Sequence, residues 1–452
     1  SGKHVLPFMG TKDDIVSAIE DVYTQNLGED VSAALAETAP LTVKTYEAGK
    51  LGEVIREAPI AQIVSAILEQ AMRLRASDVH IEPQINDTRV RYRVDGILQE
   101  RLALPKGLRE AVVSRIKILA DMKIDEKRIP QDGRFNFKMG DAEVDLRVST
   151  LPTVHGEKIV MRLLKKSGGI PTLPDLGLRG LALKNLETNI LRPHGIILVT
   201  GPTGSGKTTT LYAVLSKLNT TRVNIMTLED PVEYEMAGIN QVQINPQAGL
   251  TFATGLRSFL RQDPNIILVG EIRDTETTDL AIQAALTGHL VFSTLHTNNA
   301  AGAIPRLLDL GAEPFLVASA LNAVVGQRIA RRVCPACKEE YEPDEAVKKD
   351  IVAALGDLLA KDKPVKLYRG RGTVDGQPCG TCGGSGYVGR VGIFEVFSVT
   401  EAISKLILTR TPMRDIESQA IADGMITMKQ DGYMKAVEGV TTLEEVLRVA
   451  QD

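Results

Sequence analysis

The sequence has no tryptophan, 4% aromatic residues and a formal net charge of −4 over 452 residues. A chain built to coat nucleic acid needs clustered positive charge for the phosphates and aromatic faces for the bases. This one is short of both, and nucleic acid is not an expected partner. Long apolar runs are also missing. The longest uncharged stretch, residues 280–305, is interrupted by Gln283, Gly288, His289, Ser293, His296, Asn298 and Asn299. A bilayer span needs about 20 mostly apolar residues, so no transmembrane helix is read, and no signal peptide is visible. Cysteine is scarce: four residues, paired as two CxxC motifs, do not make a disulfide scaffold. A reducing cytoplasm is the expected compartment. The opening Ser1-Gly2 lacks a methionine and reads as a tag remnant, so sequence upstream is expected.

What is present is an ordinary globular composition, 43% hydrophobic and 24% charged, long enough for about three domains. Residues 4–8 read as a strand and 13–23 as a helix, the end of a domain that begins upstream; 25–53 read as a linker. Residues 54–164 read as an α+β domain. Its first helix carries Ile60, Ile63, Val64, Ile67, Leu68, Ala71 and Met72 at helical spacing. Strands are expected at 78–81, 88–97 (turning at Asp95-Gly96), 135–138, 143–149 and 158–163, with a helix at 108–122. Residues 165–176, rich in Gly and Pro, read as a hinge. From Gly177 the pattern becomes α/β: strands at 196–199, 224–228, 266–269 and 290–292 alternate with helices at 208–218, 255–260 and 277–286. Such short apolar strands predict a largely parallel sheet covered on both faces. Residues 400–452 read as helical.

The strongest motif is Gly201-Pro202-Thr203-Gly204-Ser205-Gly206-Lys207-Thr208, followed by Thr209. It fits GxxxxGK[ST] between an expected strand and an expected helix. Glycines let successive N–H groups turn inward on phosphate oxygens, and the helix N-terminus adds partial positive charge. Lys207 would reach the β- and γ-phosphates of ATP, and the Thr208 hydroxyl would ligate Mg²⁺. Two acidic groups follow at expected strand ends, where α/β sheets gather their chemistry. Glu271 is the candidate Walker-B-type acid for Mg²⁺. Glu229 is the candidate for polarising the attacking water, though which carboxylate is the base stays open. His296, after a strand that could neighbour the P-loop strand, is a candidate γ-phosphate sensor.

These boxes resemble a family. The P-loop, Thr227-Leu228-Glu229-Asp230-Pro231-Val232-Glu233, the segment from Leu260 to Asp274 and the histidine box from Gly288 to Asn298 occur in the same order in the secretion-superfamily ATPases. These are the cytoplasmic motors of type IV pili and type II secretion. The resemblance runs from about Ile60 to the end. It implies an α/β, RecA-like P-loop ATPase domain (177–452), a PAS-like α+β domain before it, and C-terminal helices (400–452). It also implies a homohexamer, peripheral to the inner membrane, that hydrolyses ATP and pushes on an inner-membrane platform protein. Pilus assembly is the first reading and type II secretion the runner-up. By themselves Arg134, Arg147 and Arg162 read as a basic strip, or as surface charge paired with Asp145 or Glu157. The resemblance implies that they reach the nucleotide. The box from Ser77 to Pro83 resembles the family's too and is assigned a structural role.

Cys334-Pro335-Ala336-Cys337 and Cys379-Gly380-Thr381-Cys382 offer four thiolates, enough for a closed tetrahedral zinc site without catalytic function. The intervening segment is expected to return as a helical arm at 344–359, making 330–390 a small zinc-binding insertion. Tetracysteine motifs are typical of the assembly and secretion motors and usually absent from retraction motors. The remaining rivals are a nucleic-acid translocase, which DNA-stimulated turnover would support, and a nucleotide-binding scaffold without turnover.

Overall fold

The computed structural model describes residues 58–140, 142–165, 169–359 and 365–450. The strand, helix and linker expected before residue 54 lie outside the described residues. The described residues fall into two compact units, one ending at residue 165 and one beginning at residue 169.

In the first unit, helix α1 (Ala58–Arg73) precedes β1 (Asp78–Pro83), β2 (Asp87–Val94) and β3 (Ile97–Pro105). Then come α2 (Arg109–Leu119), β4 (Gln131–Met139), β5 (Ala142–Thr153) and β6 (Gly156–Lys165). The sheet order is β3-β2-β1-β6-β5-β4. Asp95 and Gly96 turn β2 into β3 with φ of 47° and 88°, the left-handed pair a tight hairpin needs. Period-two alternation sends Val79, Ile81, Val90, Tyr92, Leu146, Val148, Ile159 and Met161 into one core with Ile63, Val64, Ile67 and Leu68 of α1 and Val112 and Ile116 of α2. The polar residues between them line the opposite face.

The second unit opens on residues 169–176. Leu173 joins the core, and Leu176 O accepts from Gly392 N at 2.8 Å. Part of the segment expected as a hinge is thus tied to the second unit. Helix α3 (Gly180–Ile190) leads to β7 (Gly195–Thr200), α4 (Lys207–Leu218), β8 (Ile225–Glu229), β9 (Asn240–Gln243), α5 (Phe252–Phe259) and β10 (Ile266–Val269). Then follow α6 (Thr275–Leu286), β11 (Leu290–Leu295), α7 (Ala303–Asp309), α8 (Pro314–Ala320) and β12 (Leu321–Val333). The insertion holds β13 (Lys338–Tyr341), α9 (Glu345–Leu355), β14 (Leu367–Gly370) and a small hairpin, β15 (Thr373–Val374) with β16 (Gln377–Pro378). Strand β17 (Tyr387–Ser398) and helices α10 (Glu401–Leu408), α11 (Met413–Ala422), α12 (Met428–Val437) and α13 (Leu443–Ala450) complete the chain.

The main sheet runs β17-β12-β7-β11-β10-β8-β9. Its pairs are parallel except β12 with β17. Alternation along β7 sends Ile196 and Leu198 into one core and Ile197 and Val199 into another. The sheet is therefore covered on both faces, as the apolar runs predict. Strands β12 and β17 were not read from the sequence. No described helix is long and apolar enough to cross a membrane.

Candidate functional site

Strand β7 ends at Thr200, and the chain turns through the P-loop into α4. Gly204 and Gly206 hold φ of 80° and 84°, a region that disfavours any Cβ. At Gly201 the constraint is space, since a Cβ there would lie 2.4 Å from Gln327 O and 2.6 Å from Ser205 Oγ. The Ser205 hydroxyl is buried with no hydrogen-bond partner among the described residues. Lys207 Nζ donates to Gly201 O at 2.8 Å and Pro202 O at 3.1 Å. Burial pushes the Lys207 ammonium below its ordinary pKa; the Glu271 charge opposes this and the Arg328 charge adds to it. A buried cation whose hydrogen-bond acceptors among the described residues are loop carbonyls, beside an orphaned hydroxyl and two left-handed glycines, fits a phosphate chain. The exposed Thr208, with Thr209 behind it, opens α4.

Parallel pairing sets β11 between β7 and β10, so the histidine box does neighbour the P-loop strand. Glu271, two residues beyond β10, accepts from Arg273 Nη2 at 2.6 Å, and its other oxygen lies 3.4 Å from His296 Nε2. The Glu271 side chain is 13% exposed and that of His296 50%. Glu271, His296 and Lys207 thus share one electrostatic neighbourhood.

Glu229 differs. It is the last residue of β8 and buried, accepting from Tyr212 OH, from Thr227 Oγ1 at 2.5 Å and from Gln241 Nε2 at 3.2 Å. Its carboxylate fastens α4 to β8 and β9, with donors on both oxygens. His289 Nδ1 lies 2.8 Å from Ala284 O, a helix-end contact. Sequence reading passed over Arg273, Gln327 and Arg328. Gln327 Oε1 accepts from Thr210 Oγ1 at 2.8 Å, and Arg328 donates to Asn298 O at 2.8 Å. Both lie on β12, and only its register beside β7 brings them to the P-loop.

In the first unit, cross-strand register lines up Arg93, Asp78, Arg162, Arg147 and Arg134 in one row across five strands. Asp78 meets Arg93 at 3.3 Å and Arg162 at 3.2 Å. Glu157 pairs instead with Lys117. The row thus holds four guanidinium groups and one carboxylate.

The four cysteine Sγ atoms lie within 4.8 Å of one another, and all four thiols are free. Cys334 and Cys379 are 3.8 Å apart, Cys337 and Cys382 3.7 Å. A tetrahedron with metal–sulfur bonds of about 2.3 Å has edges of that length. Gly372 and Gly386 N–H groups donate to Cys337 and Cys382 Sγ at 3.4 and 3.2 Å. A Cβ at Gly370 would fall 1.9 Å from Gly386 O, so the knuckle requires glycine there. Burial and the neighbouring thiols push Cys337 up to about 12. Three buried thiols and a half-buried fourth, Cys382, at this spacing fit a thiophilic cation.

A family model described as "Type II/IV secretion system protein" matches residues 53–448. The type II secretion system protein E of Pseudomonas aeruginosa is 48% identical over 94% of this chain and 82% of its own length. The type IV pilus assembly ATPase PilB of Thermus thermophilus is 46% identical over 98% of this chain but 48% of its own. The chain thus spans about half the length of that relative. Among solved structures, the pilus retraction motor PilT with bound ADP aligns with a TM-score of 0.57 and 27% identity, over 86% of this chain and 97% of its own. The Legionella pneumophila ATPase DotB, at TM-score 0.59 and 22% identity over 85% and 94%, shares the RecA-like fold. With its P-loop, acidic boxes and histidine box assembled on that fold, the chain belongs to the type II/IV secretion system protein family, the family of the pilus and secretion motor ATPases.

Proposed function

We propose that this chain is a cytoplasmic motor ATPase that hydrolyses ATP to drive type IV pilus assembly. The carrying observation is the P-loop, in which a buried Lys207 donates to the loop's own Gly201 and Pro202 carbonyls beside an acid–histidine pair, Glu271 and His296. Residues 201–206 wrap the phosphates, with backbone N–H groups offered from residues 203–206, and Lys207 moves from the Gly201 and Pro202 carbonyls to the terminal phosphate. The Thr208 hydroxyl and Glu271 would hold Mg²⁺, which supplies charge neutralisation on the β- and γ-oxygens. Glu271 is the better placed of the two acids to orient the attacking water, because its charge reaches Lys207, whereas Glu229 is buried against Tyr212, Thr227 and Gln241. His296 reports the terminal phosphate to Glu271. Arg134, Arg147 and Arg162 serve as the arginines that stabilise transition-state charge. Release of that charge drives the mechanical step in a homohexamer working on an inner-membrane platform protein. The cysteine cluster holds structural zinc and takes no part in turnover.

The type II secretion reading is favoured by the Pseudomonas relative, of which the chain covers 82% at 48% identity. Neighbouring genes separate the two: pilin with a retraction motor for the first, a secretin operon for the second. The enzymatic reading is tested by ATP turnover of the wild type, Lys207→Ala and Glu271→Gln. Glu271→Gln should lose on the order of 10²-fold or more in kcat while still binding nucleotide, and Lys207→Ala should bind poorly. Equal, near-zero turnover in all three hexameric proteins would leave only a nucleotide-binding scaffold.

A further inference from the structure

The backbone just beyond His296 is held by two charged side chains on adjacent strands, and each also holds a C-terminal helix. Glu395 on β17 is 3% exposed. It accepts from Ala300 N at 2.5 Å and from Met428 N, the first residue of α12, at 3.2 Å. Arg328 on β12 donates to Asn298 O at 2.8 Å and to Val449 O of α13 at 3.1 Å. Between them, Asn299 O accepts from Thr297 Oγ1 at 2.8 Å and from Thr200 Oγ1 at 3.4 Å. Thr200 is the last residue before the P-loop. The segment 297–300 is thus clasped between the P-loop strand and the C-terminal helices.

The clasp is built into the sheet. Register sets Gly326 opposite Glu395, and a Cβ at Gly326 would lie 2.7 Å from Glu395 Oε1 and 2.8 Å from the Met428 methyl. The strand gives up a side chain to make room for a carboxylate. An apolar residue would fill that space without the desolvation cost of a buried charge. What the carboxylate adds is two acceptor oxygens, one for the loop and one for the N-terminus of α12, where negative charge is favoured.

We propose that Glu395 is a positioning residue of the nucleotide site: it couples α12 to the loop after His296, so that displacement of α12 is passed to the His296–Glu271 contact. The consequence for turnover rests on the motor reading; the mechanical link does not. Glutamine keeps the volume of Glu395 but presents only one oxygen, so one of the two N–H groups loses its acceptor. Thr427 caps α12 by accepting from Gln430 N and lies outside the nucleotide loops. Removing its hydroxyl loosens the helix end from outside the site.

The test is hydrogen exchange of the full chain, read on the peptide containing Ala300, with ATP turnover measured on the same proteins. Glu395→Gln should speed that peptide's exchange on the order of tenfold and lower kcat more than it raises KM. Thr427→Ala should speed exchange in both α12 and the Ala300 peptide. The double variant should lose no more turnover than Glu395→Gln, the non-additivity expected of one connected network. Faster exchange in α12 with a wild-type Ala300 peptide, or additive losses, would overturn the proposal. If Glu395→Gln does not fold, Thr427→Ala decides the matter alone. If the wild type shows no turnover, the motor reading fails and the exchange result still judges the link.

Discussion

Glu82 shows how one side chain's charge is set by its neighbours. Burial opposes its ionisation, but hydrogen bonds from Arg91 at 2.8 Å and Lys158 at 3.0 Å more than offset it. The carboxyl is held at about 2 instead of its ordinary 4.5. A depressed carboxylate stabilises the fold fully above the ordinary value, and that contribution is lost as pH falls towards the shifted one. Glu82→Gln is therefore expected to cost roughly 2 kcal/mol at pH 7, with the gap to wild type closing between pH 4.5 and about 2. Urea unfolding of the chain across that range checks it, and a gap of constant size would contradict the assignment. The sequence flagged the box from Ser77 to Pro83 as structural. That its two acids, Asp78 and Glu82, each hold two cations became visible only with strand register. Glu229 makes a similar point. Its place at a strand end was legible, but its enclosure by Tyr212, Thr227 and Gln241 was not.

At the scale of elements, the P-loop was legible because it is a contiguous strand–turn–helix whose backbone angles are dictated locally. Gly206 combines φ of 84° with a Cβ position 2.9 Å from both Gln327 Nε2 and Ile329 Cδ1. Left-handed backbone costs an L-residue roughly 1–2 kcal/mol, and the ends of the Gln327 and Ile329 side chains would have to shift as well. Gly206→Ala should therefore weaken binding of a fluorescent ATP analogue while far-UV circular dichroism stays at wild type. Unchanged affinity would show that the loop tolerates the side chain. Strands β12 and β17 were missed for a physical reason. Most of β12 is buried, with Gly326 and Arg328 within it, so the sequence shows no clean alternation. Its identity comes from pairing with β7 and β17, which no local window contains.

For the whole molecule, the tetracysteine insertion offers a separate check. Cysteines 45 residues apart in sequence face each other across the cluster. Their hydrophobic surroundings extend little beyond Val388, so a metal should carry much of the stability of the cysteine knuckle. The purified chain is expected to contain about one zinc per chain. Cys379→Ser should lose the metal and lower the melting temperature. A metal-free wild type as stable as the zinc-loaded protein would remove zinc from the account. Turnover per folded chain should change less than stability, because a closed four-thiolate site leaves no open coordination position.

By itself the sequence determined the chemistry: a phosphate loop, strand-end acids, a histidine box and two thiol pairs, each carried by a few consecutive residues whose backbone preferences are local. The tertiary structure decided which of those groups meet. It selected Glu271 over Glu229 as the acid near Lys207, lined up Arg134, Arg147 and Arg162, and stretched Glu395 between the His296 loop and α12. Those relations depend on hydrogen-bond register between strands far apart in the chain. A shift of one residue would turn every side chain to the opposite face, and nothing within a short stretch of sequence records it.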